Sequence, residues 1–187
     1  MRTRRIFRPA PSPRRWGTLA VGAAAVLGAA AIAVAVPREL FGSAPRDQFW
    51  TAGPEEVRVL DGDTLRLGDR VLRLAALEVP DRGRATCRDG ASQPSDCAGL
   101  AAESLARLVA DRAVECRVQG RDRLGRGLGT CRAGGVELNA SLVAAGWALA
   151  EPGAQPALAA VEESARQAGR GLWASGASPP ERWRGRP

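Results

Sequence analysis

From Glu55 onward, apolar and polar positions follow regular periods. Val57 and Val59, then Leu65 and Leu67, alternate with charged residues, which predicts two half-buried strands joined by the turn Asp61-Gly62-Asp63. Gly68-Asp69 predicts a hairpin turn into a third strand, Val71 to Leu77. A loop bearing Pro80, Gly83, Gly90 and Pro94 follows. Leu100, Ala101, Leu105, Leu108 and Val109 recur at helical spacing, so an amphipathic helix is expected over 98–112. Val114 to Val118 and Leu128 to Arg132 read as short strands around a polar loop, Gln119 to Gly127. A second helix is expected over 138–148 with Asn139 as its N-cap, and a third over 157–168. Gly169 and Gly171 end that helix, and Trp147 and Trp173 are expected in the core.

Five strands with a helix after the third match the order of an OB-fold, a β-barrel with helices appended. The expected class is therefore α+β: a five-stranded OB-fold barrel with roughly three helices. It occupies 55–174, followed by a flexible tail over 175–187 that carries Pro179, Pro180 and Pro187. Residues 37–54, with Pro37, Gly42, Pro45, Gly53 and Pro54, read as a linker.

The segment ahead of the linker has a different character. An uncharged apolar run over 17–36 is long enough to cross a bilayer as a helix. A basic arm over 1–16 precedes it, and the positive-inside rule keeps that arm in the cytoplasm and the domain outside it. Two fates fit. Ala33-Val34-Ala35 offers a signal-peptide cleavage site, whereas retention makes the run a signal anchor that tethers the domain to the membrane.

Charge alters this picture little. Of the net charge of +7, six positive charges come from the arginines before Trp16, so the rest of the chain is close to neutral. The basic excess is thus an N-terminal arm and does not by itself mark a phosphate-binding face. The chain has no His, which excludes Ser-His-Asp hydrolases, His-based ribonuclease chemistry and His-ligated zinc. Cys87, Cys97, Cys116 and Cys131 all follow the apolar run. Their spacings contain no C-x-x-C pair and suit two disulfides in an exported domain better than zinc, with the connectivity open.

Taken in order, several segments resemble the staphylococcal nuclease (thermonuclease) family. They are Val59-Leu60-Asp61-Gly62-Asp63-Thr64, Leu72-Arg73-Leu74 through Glu78-Val79-Pro80-Asp81, and Asp122-Arg123-Leu124-Gly125-Arg126-Gly127. Ala140 to Ala148 and Gly169-Arg170-Gly171-Leu172-Trp173 continue the series. The resemblance implies a calcium-dependent phosphodiesterase acting on single-stranded DNA or RNA without sequence preference, as a monomer. Carried over by position, Asp63 and Glu78 supply calcium carboxylates, and the Val79 carbonyl a third oxygen ligand. Asp81 takes the place of the carboxylate that positions or deprotonates the attacking water. Arg73 and Arg126 take the places of the two guanidiniums that grip the scissile phosphate.

The residue types suit that chemistry. Calcium prefers several oxygen ligands at flexible distances, and Arg binds phosphate through a planar fork that stays charged. Taken singly, Arg73 and Arg126 read as solvated charges and Asp63 as a turn residue; only their joint placement points to a site.

Two departures from the family pattern bear on activity. The usual order is Asp, a small residue, Pro, then Glu, whereas here it is Glu78-Val79-Pro80-Asp81, with the carboxylate lengths exchanged. Misplacement of a catalytic group by about 1 Å can cost ~100-fold in rate. The family also places Tyr near the nucleotide, and this chain has none, with Leu124 where an aromatic residue is common. The alternative function is a non-catalytic OB-fold binding or interaction domain of the cell envelope. The carried-over strand positions also imply a disulfide pairing: Cys116 with Cys131 on neighbouring strands, and Cys87 with Cys97 in one loop.

Overall fold

The structure is a computed structural model that describes residues 48–89, 91–153, 155–178 and 180. In chain order its strands and helices begin with β1 (Gln48–Ala52), a 3-10 turn at Pro54–Glu56, β2 (Val57–Asp61), β3 (Thr64–Leu67) and β4 (Arg70–Leu74). Short pieces β5 (Leu77–Glu78), β6 (Thr86–Arg88) and β7 (Pro94–Asp96) lead into α1 (Cys97–Val109). Then come β8 (Val114–Arg121), β9 (Gly127–Ala133), β10 (Val136–Glu137), α2 (Leu138–Ala144), β11 (Leu149–Ala150), α3 (Pro156–Gln167) and a 3-10 turn at Gly171–Trp173.

The meander read from the alternation is present: β2 pairs antiparallel with β3, and β3 with β4. β4 then pairs in parallel with β9, which pairs antiparallel with β8. The parallel step requires a crossover, which α1 and β8 supply. Leu65, Leu67, Leu72 and Leu74 point inward with Val114, Cys116, Val118 and Cys131, and α1 contributes Leu105 and Val109 to the same core. Each fully buried Leu of this set contributes ~1.5–3 kcal/mol of burial free energy.

The OB-fold strand order is kept, but the expected five-stranded closed barrel is not what forms. The main sheet has seven strands in the order β1-β8-β9-β4-β3-β2, with β10 on β9, and the hydrogen-bonded path ends at β1 and β2. β1 takes the outer edge of β8, where barrel closure would have placed β2, with Trp50 opposite Cys116. This strand lies inside the stretch read as a linker. Gly53 and Pro54 follow Gln48-Phe49-Trp50-Thr51-Ala52 without interrupting it, and its two buried residues, Trp50 and Ala52, are too few to register as a period.

Two further readings are corrected. The cap of α2 is Glu137, whose carboxylate accepts from Asn139 N and Ala140 N, and not Asn139. Asn139 is buried and ties three elements together: its Oδ1 accepts from Cys131 N at 3.2 Å, and its Nδ2 donates to Ala75 O at 2.8 Å and Gly129 O at 3.4 Å. The second helix also stops at Ala144, short of Ala148, because Gly146 turns the chain at φ 76° against the backbone of Arg170.

A second, smaller core holds the disulfide Cys87–Cys97 with Leu100, Leu149 and Leu172, and Trp147 and Trp173 pack against it. The other disulfide, Cys116–Cys131, joins directly opposed residues of β8 and β9. Both pairings are those implied by the resemblance. The basic arm 1–16, the apolar run 17–36 and residues 37–47 and 181–187 lie outside the described residues. Among the described residues, no helix is long and apolar enough to cross a membrane.

Candidate active site

The β2–β3 turn is pressed against its surroundings. A Cβ on Gly62 would come within 2.7 Å of Ala101 Cβ on α1 and 2.8 Å of Val79 Cγ1, so the position requires glycine and the turn is held beside the Val79 segment. Asp63, buried at the end of this turn, accepts from Thr64 Oγ1 at 2.7 Å through Oδ1 and from Arg73 Nε at 2.6 Å through Oδ2. The strand register explains the second contact, since Arg73 on β4 stands directly opposite Thr64 on β3.

The parallel register of β4 and β9 places Arg73 beside Leu128, and so beside the loop that precedes β9. That loop folds around one carboxylate. Asp122 Oδ1 accepts from Leu124 N at 2.9 Å and Arg126 N at 3.0 Å, and Oδ2 accepts from Arg126 Nε at 2.6 Å. Gly125 makes the turn at φ 78°, and Arg121 Nη1 donates to its carbonyl at 2.8 Å. Trp50 of β1 supports the loop from below. Its ring lies under the guanidiniums of Arg121 and Arg70, 5.8 and 5.3 Å from their Cζ atoms, and closely enough to Gly127 that a Cβ there would approach within 2.6 Å.

Arg73 and Arg126 are therefore held in the same way, each through Nε by a neighbouring carboxylate. Among the described residues their terminal Nη groups make no hydrogen bond, and both side chains are about 30% exposed (30% and 29%). Burial alone would lower the pKa of Arg73. The hydrogen bond and charge of Asp63, with the charges of Glu151 and Asp122, outweigh that and hold it above its ordinary value. Desolvation would raise the pKa of Asp122, but its bonds from Arg126 and the Leu124 amide keep it below the ordinary carboxylate range.

Both arginines line one cavity of about 200 Å³ together with Asp61, Asp63, Val79, Pro80 and Asp81. Five of the six residues singled out in the sequence thus meet around one space: Asp63, Arg73, Val79, Asp81 and Arg126. Glu78 is half-buried on β5, opposite Leu149 of β11, and does not line this cavity. Asp61 does line it, and sequence reasoning did not assign it a role. Its carboxylate lies 3.7 Å from Arg82 Nη2. Asp122, Arg121 and Trp50 were also missed; the signal for Asp122 was an Asp opening a Gly-containing turn, where its side chain can accept from backbone amides further along.

Three Asp residues, Asp61, Asp63 and Asp81, line this space, and carboxylate oxygens are donors that a hard cation takes. Among the described residues, no three acidic side chains already converge as a metal cage. A cation held here would complete its shell with main-chain oxygen, water and phosphate oxygens.

The model of the family described as "Staphylococcal nuclease homologue" matches residues 72–175. The match begins after Asp61 and Asp63, so those residues rest on the geometry above. The chain is 32% identical over 121 residues to the succinoglycan biosynthesis protein ExoI of Rhizobium meliloti (strain 1021), covering 63% of each chain. It is also 32% identical over 136 residues to an uncharacterized endonuclease of Escherichia coli O157:H7, covering 70% of this chain and 83% of that one. A protein of the same description from Escherichia coli matches with the same identity and coverage.

Proposed function

The chain belongs to the staphylococcal nuclease homologue family, a nuclease family, and from that premise we propose that it hydrolyses phosphodiester bonds of single-stranded DNA or RNA, without sequence preference, using calcium and outside the cytoplasm. The observation that carries the proposal is the pair of guanidiniums, each anchored by Nε with its Nη groups unbonded, on one small polar cavity with Asp61, Asp63 and Asp81. A guanidinium held in this way presents two donors to a phosphoryl group without losing much further side-chain freedom. Donors aimed at charge that develops in the transition state are typically worth ~3 kcal/mol each.

Asp63 and Asp61, with the Val79 carbonyl, would hold the cation; Glu78 keeps the role that the resemblance implies only by reaching this cavity from its neighbouring strand. When bound, calcium supplies charge to neutralise the phosphoryl oxygens and to polarise the attacking water. Asp81, exposed at the rim, accepts the proton of that water. No His is required, since a carboxylate near the reacting water can act as the base.

The two disulfides support the extracytoplasmic assignment, because such bonds persist in oxidising compartments. If the apolar run 17–36 is retained, the domain is tethered to the membrane. The short, exposed Asp81 favours a second reading, an OB-fold domain that binds nucleic acid without cutting it.

Cleavage of fluorescently labelled single-stranded DNA, with calcium or with EGTA, separates these readings. Hydrolysis is expected with calcium only and is expected to be lost in Arg73→Ala. Cleavage in EGTA, or undiminished in Arg73→Ala, overturns the mechanism; binding without cleavage selects the second reading.

A further inference from the structure

The outer face of the sheet carries a second cavity that the reaction above does not use. Along β9, buried Gly127, Gly129, Cys131 and Ala133 face the core, which turns Leu128 and Thr130 to the opposite face, in phase with Arg126. On β4, Arg73 has the same outward phase, and Ala75 continues it. A cavity of about 380 Å³ opens on this face, bounded by Ala75 on the β4 side, Thr130 on β9 and Gln119 on β8. Its edge at Ala75 therefore lies one side-chain repeat of the strand, ~6.8 Å, beyond Arg73, and its edge at Thr130 two repeats beyond Arg126, with half-buried Leu128 between.

The lining mixes apolar and hydrogen-bonding groups, as a nucleoside site requires, and Arg117, Glu137 and Asn139 contribute to it. Methyl and methylene groups of Ala157, Leu158 and Val161 on α3 form one apolar wall, and Ala76 lies beneath. The amides of Gln119 and Gln155 stand at the cavity and make no side-chain hydrogen bond among the described residues. Such amides can donate to and accept from a base edge without selecting one base, since each offers both functions. The volume lies within the range of small-molecule pockets, ~300–1,000 Å³.

We propose that this cavity is a nucleoside subsite: it takes the base and sugar of the nucleotide next to the scissile phosphate, between α3 and the outer face of β8 and β9. The proposal rests on the nuclease reading for the identity of the substrate and on the cavity for its place. Its place on the same strands and the same outward phase as the two arginines argues for a nucleoside of the bound strand over an unrelated small molecule.

The test is equilibrium binding, read apart from cleavage. Fluorescence anisotropy of labelled oligothymidylate is measured in EGTA, for the full chain and for Ala157→Trp, which fills the cavity from an exposed helix position. Burial of part of one base against aliphatic side chains is lost when the slot is filled, so Ala157→Trp should weaken binding by roughly 10-fold. An oligonucleotide series with one abasic position moved along the strand should show one sensitive position in the unaltered protein and none in Ala157→Trp. Gln119→Ala with Gln155→Ala should reproduce the loss in part. Equal affinity of Ala157→Trp and the unaltered protein, or the same abasic profile in both, overturns the subsite. Loss of cleavage with these binding differences intact would overturn hydrolysis and leave the subsite standing.

Discussion

Replacing Asp63 with Asn removes the charge at the centre of the site while keeping the side chain's size. The Asp63 carboxylate is almost enclosed, 11% exposed, and accepts from Arg73 Nε at 2.6 Å and Thr64 Oγ1 at 2.7 Å. A hydrogen bond to a charged partner contributes ~1.5–3 kcal/mol. Stranding a fully buried charge costs ~3–5 kcal/mol, but solvent reaches Arg73, which is 30% exposed, so the lower range applies. The expected loss is about 2 kcal/mol in EGTA, read as a fall of about 1 M in the urea midpoint for a typical slope of ~2 kcal/mol/M. Calcium adds a second reading. A ligand at 100 times its dissociation constant stabilises the native state by ~2.7 kcal/mol, and Asp63→Asn should lose most of that gain. Asp63→Asn combined with Arg73→Gln in a double-mutant cycle should show a coupling of ~1–2 kcal/mol. Additive effects within ~0.3 kcal/mol, or an unchanged response to calcium, would refute the claim that one carboxylate serves both the arginine and the cation.

Three further outcomes follow from the geometry. Reduction should cost about 3 kcal/mol at Cys116–Cys131, separation 15, and about 2.7 kcal/mol at Cys87–Cys97, separation 10, on the loop-entropy relation; a melting temperature unmoved by reductant would contradict this. Asp122 has its pKa lowered, so its contribution is fully present above the ordinary value of 3.8 and is lost as pH falls through the folded value. The urea midpoints of the unaltered chain and Asp122→Asn should therefore differ near neutrality and converge under stronger acid; a constant gap would count against the Arg126 pairing. Gly146→Ala should destabilise far more than Gly153→Ala. Both glycines have positive φ, 76° and 83°, but a Cβ on Gly146 would lie 2.2 Å from Arg170 O, whereas Gly153 faces open space. The strain at Gly153 is ~1 kcal/mol, and equal thermal shifts for the two variants would remove the steric argument.

Parts of the fold that declare themselves locally were legible in the sequence. β2 to β4 announce themselves by period-two alternation and short turns, α1 by its helical stripe, and β8 and β9 by apolar runs flanking a polar loop. What escaped was set by long-range partners. β1 has only Trp50 and Ala52 to turn inward, and it exists as a strand because β8 offers an unpaired edge. β5 with β11, and β6 with β7, are pairs of two or three residues fixed by tertiary contact and, for β6, by the neighbouring disulfide. Asn139 has the side chain of a cap, but its burial between β9 and the end of β4 gives it a larger task.

The site divides along the same line. Asp63, Arg73 and Arg126 could be placed by motif because the parallel pairing of β4 and β9 makes distant segments neighbours, and the motifs follow that register. Asp61 could not. By alternation along β2 it has the phase of Val57 and Val59, toward the core, yet the register shifts between Val59 and Asp61, and the carboxylate lines the same cavity as the arginines. A bulge of this kind redirects one side chain without altering the residues on either side of it. Glu78, in contrast, keeps its sequence position in the motif, but the pairing of β5 with β11 holds it on a different strand edge. The exchanged carboxylate lengths at Glu78 and Asp81 therefore do not empty the cavity of acidic groups. With Asp61 turned into the cavity beside Asp63, these two residues and Asp81 line it together with the arginines. On the proposed mechanism, the exchange bears instead on Asp81 and on proton transfer.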